Sequence, residues 1–226
     1  ARKKVSETVA TTAEVDKLQT KAIPGDRTGL TIFARGENQE SIPAVVMVSV
    51  VDQSVLKMAD EKTFRSVSVI RFGCAAPGSS TFLNLTAPAV HEITLNDEPV
   101  SLDAFDGDRI TLTGLAADNV LRVAAACAYS HSGEGLHRFT DPADGRVYLY
   151  SDLETFDAHR IYACFDQPDM KATYQLQVTA PADWQVVSNM APDSHLPAGD
   201  AVRWVFPPTP VMSTYITAVA AGPYHV

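Results

Sequence analysis

SDLETFDAHRIYACFDQPDMKAT, residues 151–173, crowds acidic, basic, aromatic and proline side chains into one stretch. Neither the 3.6-residue recurrence of a helix nor the alternation of a half-buried strand runs through it. Such a segment reads as a loop built to hold a shape. Pro168 marks its end, because a proline confines the residue before it, Gln167, to extended backbone and lets a strand begin at Tyr174.

On both sides of this loop the period is two. Phe64, Val67, Val69 and Phe72 mix with polar Arg65, Ser66, Ser68 and Arg71 in an alternating strand. Short strand-like runs recur at 80–85, 90–95, 109–112, 120–129, 147–150, 174–179, 185–189, 202–206 and 215–221, the spacing of a sandwich. Asn96-Asp97, Asp106-Gly107-Asp108 and Asp144-Gly145 supply the turn chemistry between them. The pattern predicts an all-β, antiparallel β-sandwich or saddle-like sheet domain. Ahead of it, residues 1–23 carry only a weak helical period through Val9, Ala13, Leu18 and Ala22, as in a short helical or disordered leader. Pro24-Gly25-Asp26 punctuates the chain before two strand-like runs, 28–34 and 44–51.

Composition narrows the function classes. With 226 residues, 46% hydrophobic and 20% charged, the chain has material for one large core. Eighteen Lys and Arg against 27 Asp and Glu, a net charge of -9, argue against nucleic-acid and anionic-membrane partners, which demand clustered cations. Cys74, Cys127 and Cys164 lie too far apart for a disulfide scaffold, and are expected to be buried thiols in a reducing compartment. No apolar run reaches the ~18 to 20 residues of a membrane span. The polar start is not a signal peptide, which favours a cytoplasmic address and makes the Asn84-Leu85-Thr86 sequon incidental. A start without Met is what a piece of a longer chain would show. Trp184 and Trp204 are expected in the core.

The run Cys164-Phe165-Asp166-Gln167-Pro168-Asp169-Met170-Lys171-Ala172-Thr173-Tyr174 resembles the signature of the amino-terminal domain of the aminopeptidase N family of zinc aminopeptidases. The resemblance spans residues 63–226. Residues 63–72 are similar to an early strand of that family, 133–139 to the loop before its substrate-anchoring segment, 184–189 to a later strand and 212–222 to the strand that ends the domain. Residues 24–62 instead resemble a macroglobulin-like strand pair of the α2-macroglobulin and complement family, which suggests a chimera with its seam at 60–64. Residues 46–51 and 55–58 are expected to complete the sheet across a turn at 59–62.

The resemblance implies a non-catalytic amino-terminal domain, with zinc and general base on a catalytic domain that is its partner. The zinc site of the family is a His-Glu-x-x-His helix, whose imidazoles share one face. His91-Glu92-Ile93-Thr94-Leu95 starts that way but puts Leu95 in the second ligand position. The chain is therefore expected to hold no metal or cofactor and to be inactive alone.

The resemblance further implies that Glu154 binds the free α-amino group of a peptide, since it falls where the family places an acidic anchor. Asp152 stands where the family usually has Gln, which adds a negative charge and bears on the first side-chain subsite. Arg160, Asp166, Pro168 and Asp169 are read as the structural frame of the loop, with Asp157, Asp166 and Asp169 as candidate partners for Arg160. His159, where relatives carry Arg, is read as exposed and inert. The alternatives are a macroglobulin-like binding module and an artificial chimera without enzymatic role.

Overall fold

The computed structural model describes residues 62–225, together with the strand backbone at 34–35, 41–42 and 50–58. The expected leader at 1–23 and the turn at 59–61 lie outside the described residues. The chain divides into two units, Ala1–Val46 and Met47–Val226. In the first, β1 (Ala34–Arg35) pairs antiparallel with β2 (Ser41–Ile42).

The second unit is all β. Its strands are β3 (Val50–Met58), β4 (Thr63–Gly73), β5 (Thr81–Asn84), β6 (Ala89–Leu95), β7 (Glu98–Pro99), β8 (Arg109–Leu112) and β9 (Asp118–Ala128). They continue as β10 (Gly135–Thr140), β11 (Val147–Asp152), β12 (Tyr174–Pro181), β13 (Gln185–Ser188), β14 (Ser194–Ala198), β15 (Ala201–Val205) and β16 (Val219–Gly222). An eight-stranded sheet has the order β14-β15-β12-β3-β4-β9-β6-β7, and a four-stranded sheet the order β10-β11-β16-β13. The pair β5-β8 stands apart. Among the described strands pairing is antiparallel except between β3 and β12, which run parallel.

The seam expected near residue 60 is bridged by backbone pairing, since β3 lies antiparallel to β4, with Met58 opposite Phe64. On its other side β4 pairs with β9 from Thr63 opposite Ala128 to Gly73 opposite Asp118. The core gathers there: Phe64, Ile70, Phe72, Leu121 and Val123 are buried, each such side chain contributing about 1.5–3 kcal/mol. Ser66 and Ser68 are buried too, because alternation puts them on the same face of β4 as Phe64, Ile70 and Phe72, whereas Arg65 and Arg71 on the other face are exposed.

Other expectations shift for physical reasons. Residues 133–139, read as a loop, begin with the turn glycines but enter β10, where Gly135 adopts φ 69 to start the strand. The predicted strand at 215–221 is only its last part, β16; a 3-10 turn at Thr214–Ile216 precedes it. Trp204 is buried as expected, whereas Trp184 is half-buried in the turn that leaves β12. At the hairpin between β6 and β7, Asn96 and Asp97 take φ 53 and 67, the left-handed conformations their side chains tolerate.

Candidate functional site

Residues 153–173 connect β11 of the four-stranded sheet to β12 of the eight-stranded one. With few ladder partners, the loop meets its backbone needs elsewhere. Cys164 and Asn84 exchange amide-to-carbonyl bonds of 2.8 and 3.1 Å, and the Thr86 amide donates to the His159 carbonyl. Phe165 sets its ring edge-on to Phe72 at 5.2 Å, which keys the loop into the core.

Opposite the start of the loop runs the segment 213–218, which has no strand partner yet leaves few polar groups orphaned. The Asn189 side chain donates to the Ile216 carbonyl and accepts from the Ala218 amide, and Ser188 Oγ donates to the Ala218 carbonyl. Side chains thus do for this stretch what a ladder does for a strand. Between the two segments lies an open groove lined by Ser151, Asp152, Leu153, Glu154, Tyr215, Ile216, Thr217 and Ala218.

Glu154 and Asp152 are exposed on this groove, and among the described residues neither carboxylate has a hydrogen-bond or ion-pair partner. Asp152 ends β11 opposite Gly135, and the peptide from Glu154 to Thr155 is cis. The Asp157 amide donates to the Leu153 carbonyl and closes the turn that carries Glu154.

Behind the groove sits a polar cluster that sequence reasoning largely missed. Asp166 is fully buried and its Oδ2 accepts from the His159 amide at 3.1 Å and meets His159 Nδ1 at 2.7 Å. Its Oδ1 accepts from Thr214 Oγ1 at 2.6 Å. His159 is therefore neither exposed nor unengaged: it is buried beneath the Phe156 ring, 4.5 Å between centroids, because the Asp166 carboxylate offers it a partner there.

Arg160 takes Asp157, at 2.5 Å from Nε, and Glu134, at 3.5 Å, as its carboxylate partners. Asp166 is spoken for by His159, and Asp169 is exposed. Pro168 contributes through its carbonyl, which accepts from Ser213 Oγ at 2.6 Å.

A second bridge joins the loop to the segment 213–218. Thr217 Oγ1 donates to the Thr214 carbonyl, so its lone pair is open to the Tyr162 hydroxyl, which donates at 2.7 Å. Burial pushes Tyr162 well above the ordinary tyrosine range, with Cys164 and Tyr174 adding to it. Burial likewise raises the Cys164 thiol, helped by the negative charge of Asp166, so both stay protonated. The one sequence signal for this cluster was the density of hydroxyls in Ser213-Thr214-Tyr215-Ile216-Thr217, which interrupts apolar alternation where a strand was expected.

No group of three or more His, Cys, Asp or Glu among the described residues could hold a metal. His91 and Leu95 lie on β6, where His91 is exposed, Leu95 is buried and Glu92 pairs with Arg122. A strand does not bring such residues to one metal, so these residues do not fit zinc. No helix among the described residues is long and apolar enough to cross a membrane.

These features define an all-β domain with an acidic groove at the junction of two sheets. The model of the peptidase M1 N-terminal domain matches residues 52–216, and the chain belongs to that family. It is 48% identical over 165 residues to aminopeptidase N of Streptomyces lividans, a match covering 72% of this chain and 19% of that protein. It is 43% identical over 86 residues to aminopeptidase N of Acetobacter pasteurianus, covering 37% of this chain and 24% of the relative. With aminopeptidase N of Canis lupus familiaris it shares 24% over 182 residues, 69% of this chain and 18% of that protein. The chain thus spans about a fifth of the length of these relatives.

Proposed function

We propose that this domain serves a zinc aminopeptidase by shaping the substrate cleft and anchoring the free α-amino group of a peptide through Glu154. The observation that carries the reading is the exposed, unpartnered Glu154 carboxylate on a groove that also bears Asp152, in a chain of this family. A peptide α-amino group has a pKa of about 7.7–8.0 and is largely cationic at neutral pH. A charge-assisted hydrogen bond to a partly desolvated carboxylate suits it, at about 1.5–3 kcal/mol.

The partner is the catalytic domain of the same enzyme, which supplies the zinc and the general base. Asp152 adds a second negative charge beside the anchor and so bears on which first side chain is preferred. Three buried free cysteines agree with a reducing, cytoplasmic setting. The alternative of a macroglobulin-like module or chimera draws on residues 24–62, of which 52–62 fall inside the family match. In the completed enzyme, Glu154→Ala is expected to raise KM for aminoacyl substrates and lower kcat/KM about 10- to 150-fold. Unchanged KM and turnover overturn the anchor.

A further inference from the structure

Both walls of the groove converge on one buried carboxylate. The anchor wall ends in the 3-10 turn Ala158–Arg160, whose His159 gives Asp166 Oδ2 its amide and faces it with Nδ1. The opposite wall carries the turn Thr214–Ile216, whose first residue donates its hydroxyl to Oδ1. His159 also supports Phe156, two residues from Glu154, by ring contact. Asp166 has no exposure to solvent, and each bond it accepts comes from a residue flanking the groove. A planar carboxylate holds its two oxygens at a fixed separation, so the elements bound to them cannot drift independently while both sets of bonds persist.

We propose that Asp166 is a positioning residue that clamps the two walls of the groove in one geometry, the anchor wall through His159 and the opposite wall through Thr214. The Tyr162-to-Thr217 and Ser213-to-Pro168 bonds reinforce the same junction. The clamp consists of the hydrogen bonds of Asp166; its consequence for substrate rests on the groove receiving the peptide amino terminus.

The clamp makes a claim that a merely stabilising contact does not: a change on one wall must be felt on the other. Amide hydrogen exchange of the 226-residue chain, followed by NMR, reads this directly. Thr214→Val keeps the shape of the side chain and removes the hydroxyl bond to Oδ1. It is expected to speed exchange of the Asp157 amide on the far wall, together with Thr217, about three- to tenfold, as for loss of one hydrogen bond. Amides of β4 and β9 stay at wild-type rates, and Thr214→Ser restores protection at Asp157. Asp166→Asn is expected to give the larger change at both walls. Change confined to residues near 214, or spread equally over β4 and β9, overturns the clamp, and Thr214→Val decides this even should Asp166→Asn fail to fold.

In the completed enzyme Thr214→Val then raises KM for an aminoacyl substrate about three- to tenfold, more than it lowers kcat, with recovery in Thr214→Ser. Exchange that couples the walls without any movement of KM supports the clamp and overturns the assignment of the groove to peptide amino termini.

Discussion

Strand β4 and the loop at 153–173 both contribute side chains to the buried interior, yet they are held by different forces. In β4 the backbone is paired on both sides, to β3 and to β9, and side chains such as Phe64 and Ile70 are packed in apolar surroundings. In the loop, regular pairing gives way to bonds between individual polar atoms, those of Asp166, Tyr162, Thr214 and Thr217 among them. Apolar burial is non-directional and tolerates small displacements, whereas a hydrogen bond weakens steeply with angle. The sheet therefore supplies stability, and the loop supplies geometry.

If that division holds, damage to the sheet should be global. Ile70→Ala leaves a cavity at the centre of β4 and is expected to cost about 2–5 kcal/mol, read from the midpoint of urea unfolding. Amide protection in β9 and in the groove walls should fall together; a loss confined to β4 would break the contrast.

Alkaline pH tests both regions at once. Burial pushes the Cys127 thiol of β9 up to about 12, and raises Tyr162 and Cys164 in the loop and Tyr174 at the start of β12. These groups ionise first in the unfolded chain, so their contribution is whole below about pH 9 and is lost as pH climbs towards 12. Unfolding free energy is expected to be smaller at about pH 11 than at about pH 8. A flat or rising profile contradicts the burial of these groups.

The smallest effect belongs to the loop frame. Gly135 has φ 69, and a Cβ there would meet Arg160 Cβ at 3.0 Å. Gly135→Ala is expected to cost about 1–2 kcal/mol through the strained backbone. It should also displace the Arg160 side chain from Asp157, visible as local shift changes in NMR spectra, while β4 and β9 stay unperturbed.

Much of the sheet was legible because alternation is a local property. Arg109–Leu112 and the start of the strand at Tyr174 are found where the pattern puts them, and Asn96-Asp97 makes the turn its chemistry suggests. The parallel pairing of β3 with β12 was not legible, since no sequence period reports which distant strand lies alongside. Glu154, the proposed anchor, and its neighbour Asp152 were readable as site candidates only through family resemblance; by themselves they are ordinary acids. His159 was misread because its burial depends on Asp166 and Phe156, and Thr214 was missed because its partner lies far along the chain. Contacts of that range are fixed by topology.

The role proposed for Glu154 is to meet an α-ammonium group. In the completed enzyme, the inhibition constants of a competitive dipeptide inhibitor and of its des-amino analogue should differ by about 10- to 150-fold, the worth of one charge-assisted hydrogen bond. Glu154→Gln should bring the two constants close together by weakening only the free amine. A preference for the amine that survives Glu154→Gln undiminished contradicts the anchor and returns this groove to a structural feature of the domain.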